Sequence, residues 1–144
     1  MKKWFLGLMA ALALFASGAS AEMAMDLDEK QQLPSLNAAL EWLKLIDEGD
    51  YAESWENAAT YLKQIIPQEQ WEKSLSAARI PFEALISRRV LSNNPLTSLP
   101  GVPDGEYDVL TFESSYVKKA EAIETITVMK DTDGTWRVAG YYIK

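Results

Sequence analysis

"FEALISRRVL", residues 82–91, is where the chain changes its period. Phe82, Ala84, Ile86, Arg88 and Val90 alternate with Glu83, Leu85, Ser87, Arg89 and Leu91, the two-residue repeat of a β-strand. Before this stretch the apolar repeat is close to four. Leu36, Leu40, Leu43 and Ile46, with Ala39 beside them, form the stripe of a helix that starts near Pro34, with Ser35 or Asn37 as its cap. Gly49 is placed to end it, and Asp50 to cap a second helix in which Tyr51, Trp55, Ala58, Ala59, Leu62 and Ile66 share a face. Pro67 stops that helix and suits the first turn of a third, whose apolar side is Trp71, Leu75 and Ala78.

After residue 91 the two-residue period returns in "EYDVLTFE" (106–113), "EAIETITVMK" (121–130) and "TWRVAGYYIK" (135–144), all rich in β-branched and aromatic residues. "DTDG" (131–134) is hairpin chemistry between the last two. The order predicts an α+β fold: three N-terminal helices packed on a curved, mainly antiparallel four-stranded sheet, one domain over residues 34–144. Several strands are apolar on both faces, so one face meets the helices and the other is left to a partner subunit or a pocket. The irregular run from Ser92 to Gly105 reads as a wide connection between the first two strands, about 14 residues long, and loops of that length are uncommon without a role. Within it, Pro100-Gly101 and Pro103-Asp104-Gly105 are turn signals that deliver Tyr107 into the second strand.

The N-terminus carries a different message. In "MKKWFLGLMAALALFASGASA" (1–21), Lys2 and Lys3 precede an apolar run from Trp4 to Ala16, and Ala19-Ser20-Ala21 supplies small residues for cleavage after Ala21. The run is shorter than the ~20 residues that span a bilayer. It predicts a signal peptide, export to the periplasm or beyond, and a soluble mature chain with no membrane span. Residues 22–33, beginning "EMAMDLDEKQQ", read as a polar lead-in. The chain has no Cys, so no lipidated cysteine and no disulfide is available. Its formal charge is −7, and −9 without Lys2 and Lys3. An acidic chain without a basic stripe argues against nucleic acid as a partner.

The absence of both His and Cys excludes Ser-His and Cys-His nucleophiles and zinc held by either residue. "DTDGTW" fails as a calcium loop, because with Gly134 at the sixth position Met129 and Gly140 fall where acids are needed. No metal or other cofactor is expected. What remains are acids, arginines and aromatics on strand faces. Glu124 interrupts the apolar face of Ala122, Ile126 and Val128, and Arg88 interrupts that of Ile86 and Val90. A charge on such a face needs a partner. Either Arg88 and Glu124 pair across the sheet or reach solvent at its edge, or they line a pocket, with Arg88 reading an anion and Glu124 serving as base. Asp108 is a second candidate base, though its alternation leaves open whether it shares a face with Glu124. Tyr107, Tyr142 and Trp55 complete the candidate ligand-binding set. Alternation puts Trp136 and Tyr142 on one face and Tyr141 on the other.

The segments "WLKLIDEGDYAESWENAA" (42–59), "LPGVPDGEY" (99–107), "IETITV" (123–128) and "GTWRVAGYYIK" (134–144) together resemble the bacterial secreted family known as domain of unknown function 4019. The resemblance implies no activity. The order of elements also resembles the nuclear-transport-factor-2-like fold, which implies helices closing a concave sheet into a cone able to hold a ligand. Three functions compete: a non-catalytic module binding a small ligand or protein, with homodimerisation through a sheet face among the readings; a carboxylate-based lyase or isomerase working through Glu124 or Asp108 with a tyrosine; and a structural accessory domain of the envelope.

Overall fold

The computed structural model describes residues 33–144; the signal-peptide reading and most of the lead-in lie outside them. Among the described residues the chain forms four α-helices, α1 (Pro34–Asp47), α2 (Tyr51–Glu56), α3 (Thr60–Ile65) and α4 (Gln68–Arg79), followed by a short 3-10 turn, Ile80–Phe82. Four strands complete the fold: β1 (Leu85–Leu96), β2 (Tyr107–Tyr116), β3 (Lys119–Lys130) and β4 (Trp136–Ile143). They form one open, curved, antiparallel meander in the order β1-β2-β3-β4. The α+β class and the sheet follow the sequence pattern.

The helix count does not. The second expected helix is two short ones, broken at Asn57–Ala59. At the break the Ala59 amide donates to the Val138 carbonyl of β4 at 2.8 Å. Both Ala58 and Ala59 are fully buried, and their small side chains let the β4 backbone approach. The missing turn of helix is replaced by a bond to the sheet, and α3 is capped from elsewhere: the Thr60 amide and hydroxyl both donate to Asp131 Oδ2 at 3.0 Å. Other signals act as their chemistry predicts. Gly49 (φ 78) ends α1 in the left-handed region. Asp50 caps α2 through the Glu53 amide, and Pro67 separates α3 from α4.

Bulges change the strand readings. Opposite Tyr116 and Ser115 of β2, β1 places Leu85 and Ser87, so Ile86 is an extra residue and stands 66% exposed. The strand starts at Leu85, not at Phe82, and Ile86 leaves the Arg88 face. A second bulge at Leu91 lets β1 run on through Ser92, Asn93, Asn94 and Pro95 to Leu96, paired with Tyr107. Pro95 is tolerated because β1 is an edge strand whose outer side needs no ladder donor. The connection is therefore only residues 97–106, shorter than its composition suggested. A third bulge, at Ala139 between Gly140 and Val138, shifts β4 by one residue. Tyr141 thereby joins Trp136 and Val138 on the helix side, and Tyr142 points outward, 61% exposed. The alternation expected for these aromatics is reversed.

The core lies between the helices and the inner sheet face. Leu36, Leu43, Ile46, Leu62 and Leu75 pack on Leu110, Phe112, Ile126 and Val128. Burying each such side chain contributes roughly 1.5–3 kcal/mol. Ser54 fixes two tryptophans at once: its carbonyl accepts from the Trp42 indole at 2.8 Å and its hydroxyl from that of Trp71 at 3.0 Å. The space that a cone would leave open is filled by these side chains.

Candidate functional site

Arg88 and Glu124 meet at one end of the inner face. The Arg88 Nε donates to Glu124 Oε1 at 2.7 Å, and Nη2 to Oε2 at 3.2 Å. Arg88 also holds Asp47, at the last position of α1, with Nη1 at 2.7 Å and Nη2 at 2.9 Å. Arg79, from the last turn of α4, donates to the same Asp47 at 2.9 Å and lies 3.9 Å from Glu124. Tyr141 donates its hydroxyl to Glu124 Oε2 at 2.5 Å. Tyr116 lies under the guanidinium of Arg79, 4.5 Å from ring centre to Cζ. Two cations and two anions thus cancel in a cluster that ties α1 and α4 to all four strands.

Glu124 is fully buried and the Arg79 side chain is 4% exposed. Burial disfavours charge on Arg88, but the hydrogen bonds it donates to Asp47 and Glu124 outweigh it and hold its pKa above the ordinary arginine value. Arg79 is raised as well: burial opposes the charge, and Tyr141 and Asp47 more than offset it. Burial, together with the negative charge of Glu124, pushes the Tyr141 hydroxyl well above the usual phenol range. The two arginines therefore stay charged and the Tyr141 phenol keeps its proton at neutral pH. Glu124 accepts from Arg88 and Tyr141 and has no exposed surface.

The other candidates lie apart. Asp108 does share the inner face with Glu124, since Asp108 pairs with Val128 and Glu124 with Phe112. Four residues along β2 separate them, about 14 Å. Asp108 accepts from Ser35 Oγ and Asn93 Nδ2 at 2.5 Å each, and its other oxygen is buried without a partner. Tyr107 is buried, donates to the Pro103 carbonyl and so pins the 97–106 loop; burial raises its pKa. The Trp55 indole donates to the Ile66 carbonyl at 2.9 Å. Tyr142 is on the outer face. Of the sequence candidates, only Arg88 and Glu124 come together.

Open grooves flank α1. One, of about 360 Å³, lies between α1 and β1, with Leu40, Lys44, Arg89 and Val90 among its walls. The other, of about 470 Å³, lies between α1, β4 and the α2–α3 break. Among the described residues no group of three or more acids is placed to hold a metal ion, and no helix is long and apolar enough to cross a membrane.

The model of the DUF4019 family, described as a protein of unknown function, matches residues 38–141. The chain belongs to the DUF4019 family. All six residues of the buried cluster, Asp47, Arg79, Arg88, Tyr116, Glu124 and Tyr141, lie within the DUF4019 match. No curated protein matches the chain. A solved structure from Catenulispora acidiphila is similar at 10% identity and a TM-score of 0.47, covering 86% of this chain and 93% of that one.

Four members of the cluster escaped the strand-based reading of this DUF4019 sequence. Two carried a signal. Asp47 is four residues after Leu43, and Arg79 is four after Leu75, so each is a charge at the end of an apolar helix stripe, the same anomaly that marks Glu124. Tyr141 was hidden by the bulge at Ala139. Tyr116 carried no signal separating it from an ordinary core tyrosine.

Proposed function

We propose that this protein is an exported, non-catalytic binding module that works through an open groove beside α1 rather than through an interior cavity. One observation carries the reading. The two candidate bases of the inner face are both closed off, Glu124 held by Arg88 and Tyr141 and fully buried, and Asp108 3% exposed behind Ser35 and Asn93. A catalytic base needs a route to its substrate, and neither has one. Export rests on the basic, apolar and small-residue segments of residues 1–21, followed by an acidic chain without cysteine. The filled interior also suits a structural accessory domain of the envelope, and one experiment separates the two. Native mass spectrometry of the protein recovered from its periplasm should show a chain starting at Glu22 with a bound small molecule or partner. Bare monomer alone would remove the binding reading in favour of the accessory domain, and a start at Met1 would remove export.

A further inference from the structure

We propose that the groove between α1 and β4 binds the ring of a neutral sugar, an inference that rests on the binding-module reading and names its ligand class. Among the described residues the other indole N–H groups are engaged: Trp42 donates to Ser54 O, Trp71 to Ser54 Oγ and Trp55 to Ile66 O. Trp136 is half-buried, packs one side against the core and lines the groove, and it has no hydrogen-bond partner among the described residues. Tryptophan placed with an apolar body inside and its N–H at a wet rim is a recognition element.

The rest of the rim mixes acceptors and donors. Asn57 donates its amide N–H to Glu53 O at 3.1 Å, which leaves its carbonyl oxygen for a ligand hydroxyl. Glu41 gives one oxygen to Lys44 and keeps the other. The Thr135 hydroxyl can do either. Ala38 and Leu45 supply an apolar wall. The single guanidinium at the rim, Arg137, is already held by Asp131 and Asp133, so an anion finds no unpaired cation here. Apolar wall, partly exposed indole and a rim offering a carboxylate oxygen, an amide oxygen and a hydroxyl match a ligand with C–H faces and hydroxyl edges. About 470 Å³ is within the range of small-ligand sites. The ring can come from a free sugar or from a unit of a glycan strand.

The test is an amide and indole NMR titration with N-acetylglucosamine and with its soluble trimer. The expected result is a saturable shift of the Trp136 indole N–H with the amides of Asn57 and Thr135. Trp136→Phe, which keeps an aromatic body and deletes the donor, should weaken binding about tenfold. Glu41→Lys, at an exposed helix position, should weaken it without touching the core. A trimer bound more tightly than the monomer assigns a glycan strand, and equal binding assigns a single ring. Absence of saturation with both probes overturns the inference, as does unchanged affinity in both variants. Saturable shifts confined to the α1–β1 groove overturn this site while leaving the binding module intact.

Discussion

Glu124 and Asp108 occupy the same face of the same sheet, and the fold treats them in opposite ways. Glu124 is matched with charge: Arg88 grips both its oxygens, Arg79 stands 3.9 Å away, and Tyr141 adds a neutral donor. Asp108 is matched with neutral donors, Ser35 and Asn93, and one of its oxygens has no partner. In sequence both are acids on an alternating strand. The difference lies in which elements arrive opposite them. The ends of α1 and α4 bring Asp47 and Arg79 to the Glu124 end, and the start of α1 brings a serine to the Asp108 end. Ion pairs and two tyrosines fix a register among six elements at one end; at the other, two neutral donors tie a helix start to two strands.

The contrast can be broken most severely at Glu124. Glu124→Gln leaves Arg88 and Arg79 sharing one half-buried carboxylate, that of Asp47, and should cost about 3–5 kcal/mol in urea unfolding. Replacing both partners, Arg88→Met with Glu124→Leu, leaves the Arg79–Asp47 pair balanced and should cost less than Glu124→Gln alone; an additive loss would show that the pair is not coupled. A third acid, Asp131, sharpens the comparison because its main partners are backbone amides. Asp131→Ala uncaps α3 and should cost about 1–2 kcal/mol. The Thr60 and Thr132 amides, with Arg137, hold the Asp131 pKa below its ordinary value. A depressed folded-state pKa means that its contribution is complete above the unfolded value, about 4, and fades as pH falls through the folded one. The stability gap between the native chain and Asp131→Ala should therefore narrow on acidification below about pH 4. The smallest effect is expected at the other end of the face. Asp108→Asn keeps an acceptor for Ser35 and Asn93 and should change stability by less than about 1 kcal/mol. A loss as large as that of Glu124→Gln would show that the two acids are alike after all.

The change of period at β1, the closing glycine after α1 and the "DTDG" hairpin were legible because each is local chemistry. Three bulges were not. Ile86, Leu91 and Ala139 each add one residue to a strand whose partner is more than ten positions away, and only that partner reveals the slip. The Arg88–Glu124 pair was readable as one of two alternatives, because a charge on an apolar face announces the need for a partner without naming it. Asp47 and Arg79 end helical stripes and were equally visible in principle. The break at Ala58–Ala59 was not, since two alanines favour helix everywhere except where a strand backbone comes close enough to take their hydrogen bond.

The bond from Thr60 to Asp131 joins residues 71 positions apart. A six-residue helix cannot hold itself in water, and the cap that completes α3 comes from the turn between β3 and β4. The helical half and the sheet half are therefore joined through this cap, and a helical piece separated from the sheet by a cut in the 97–106 loop is expected to lose α3.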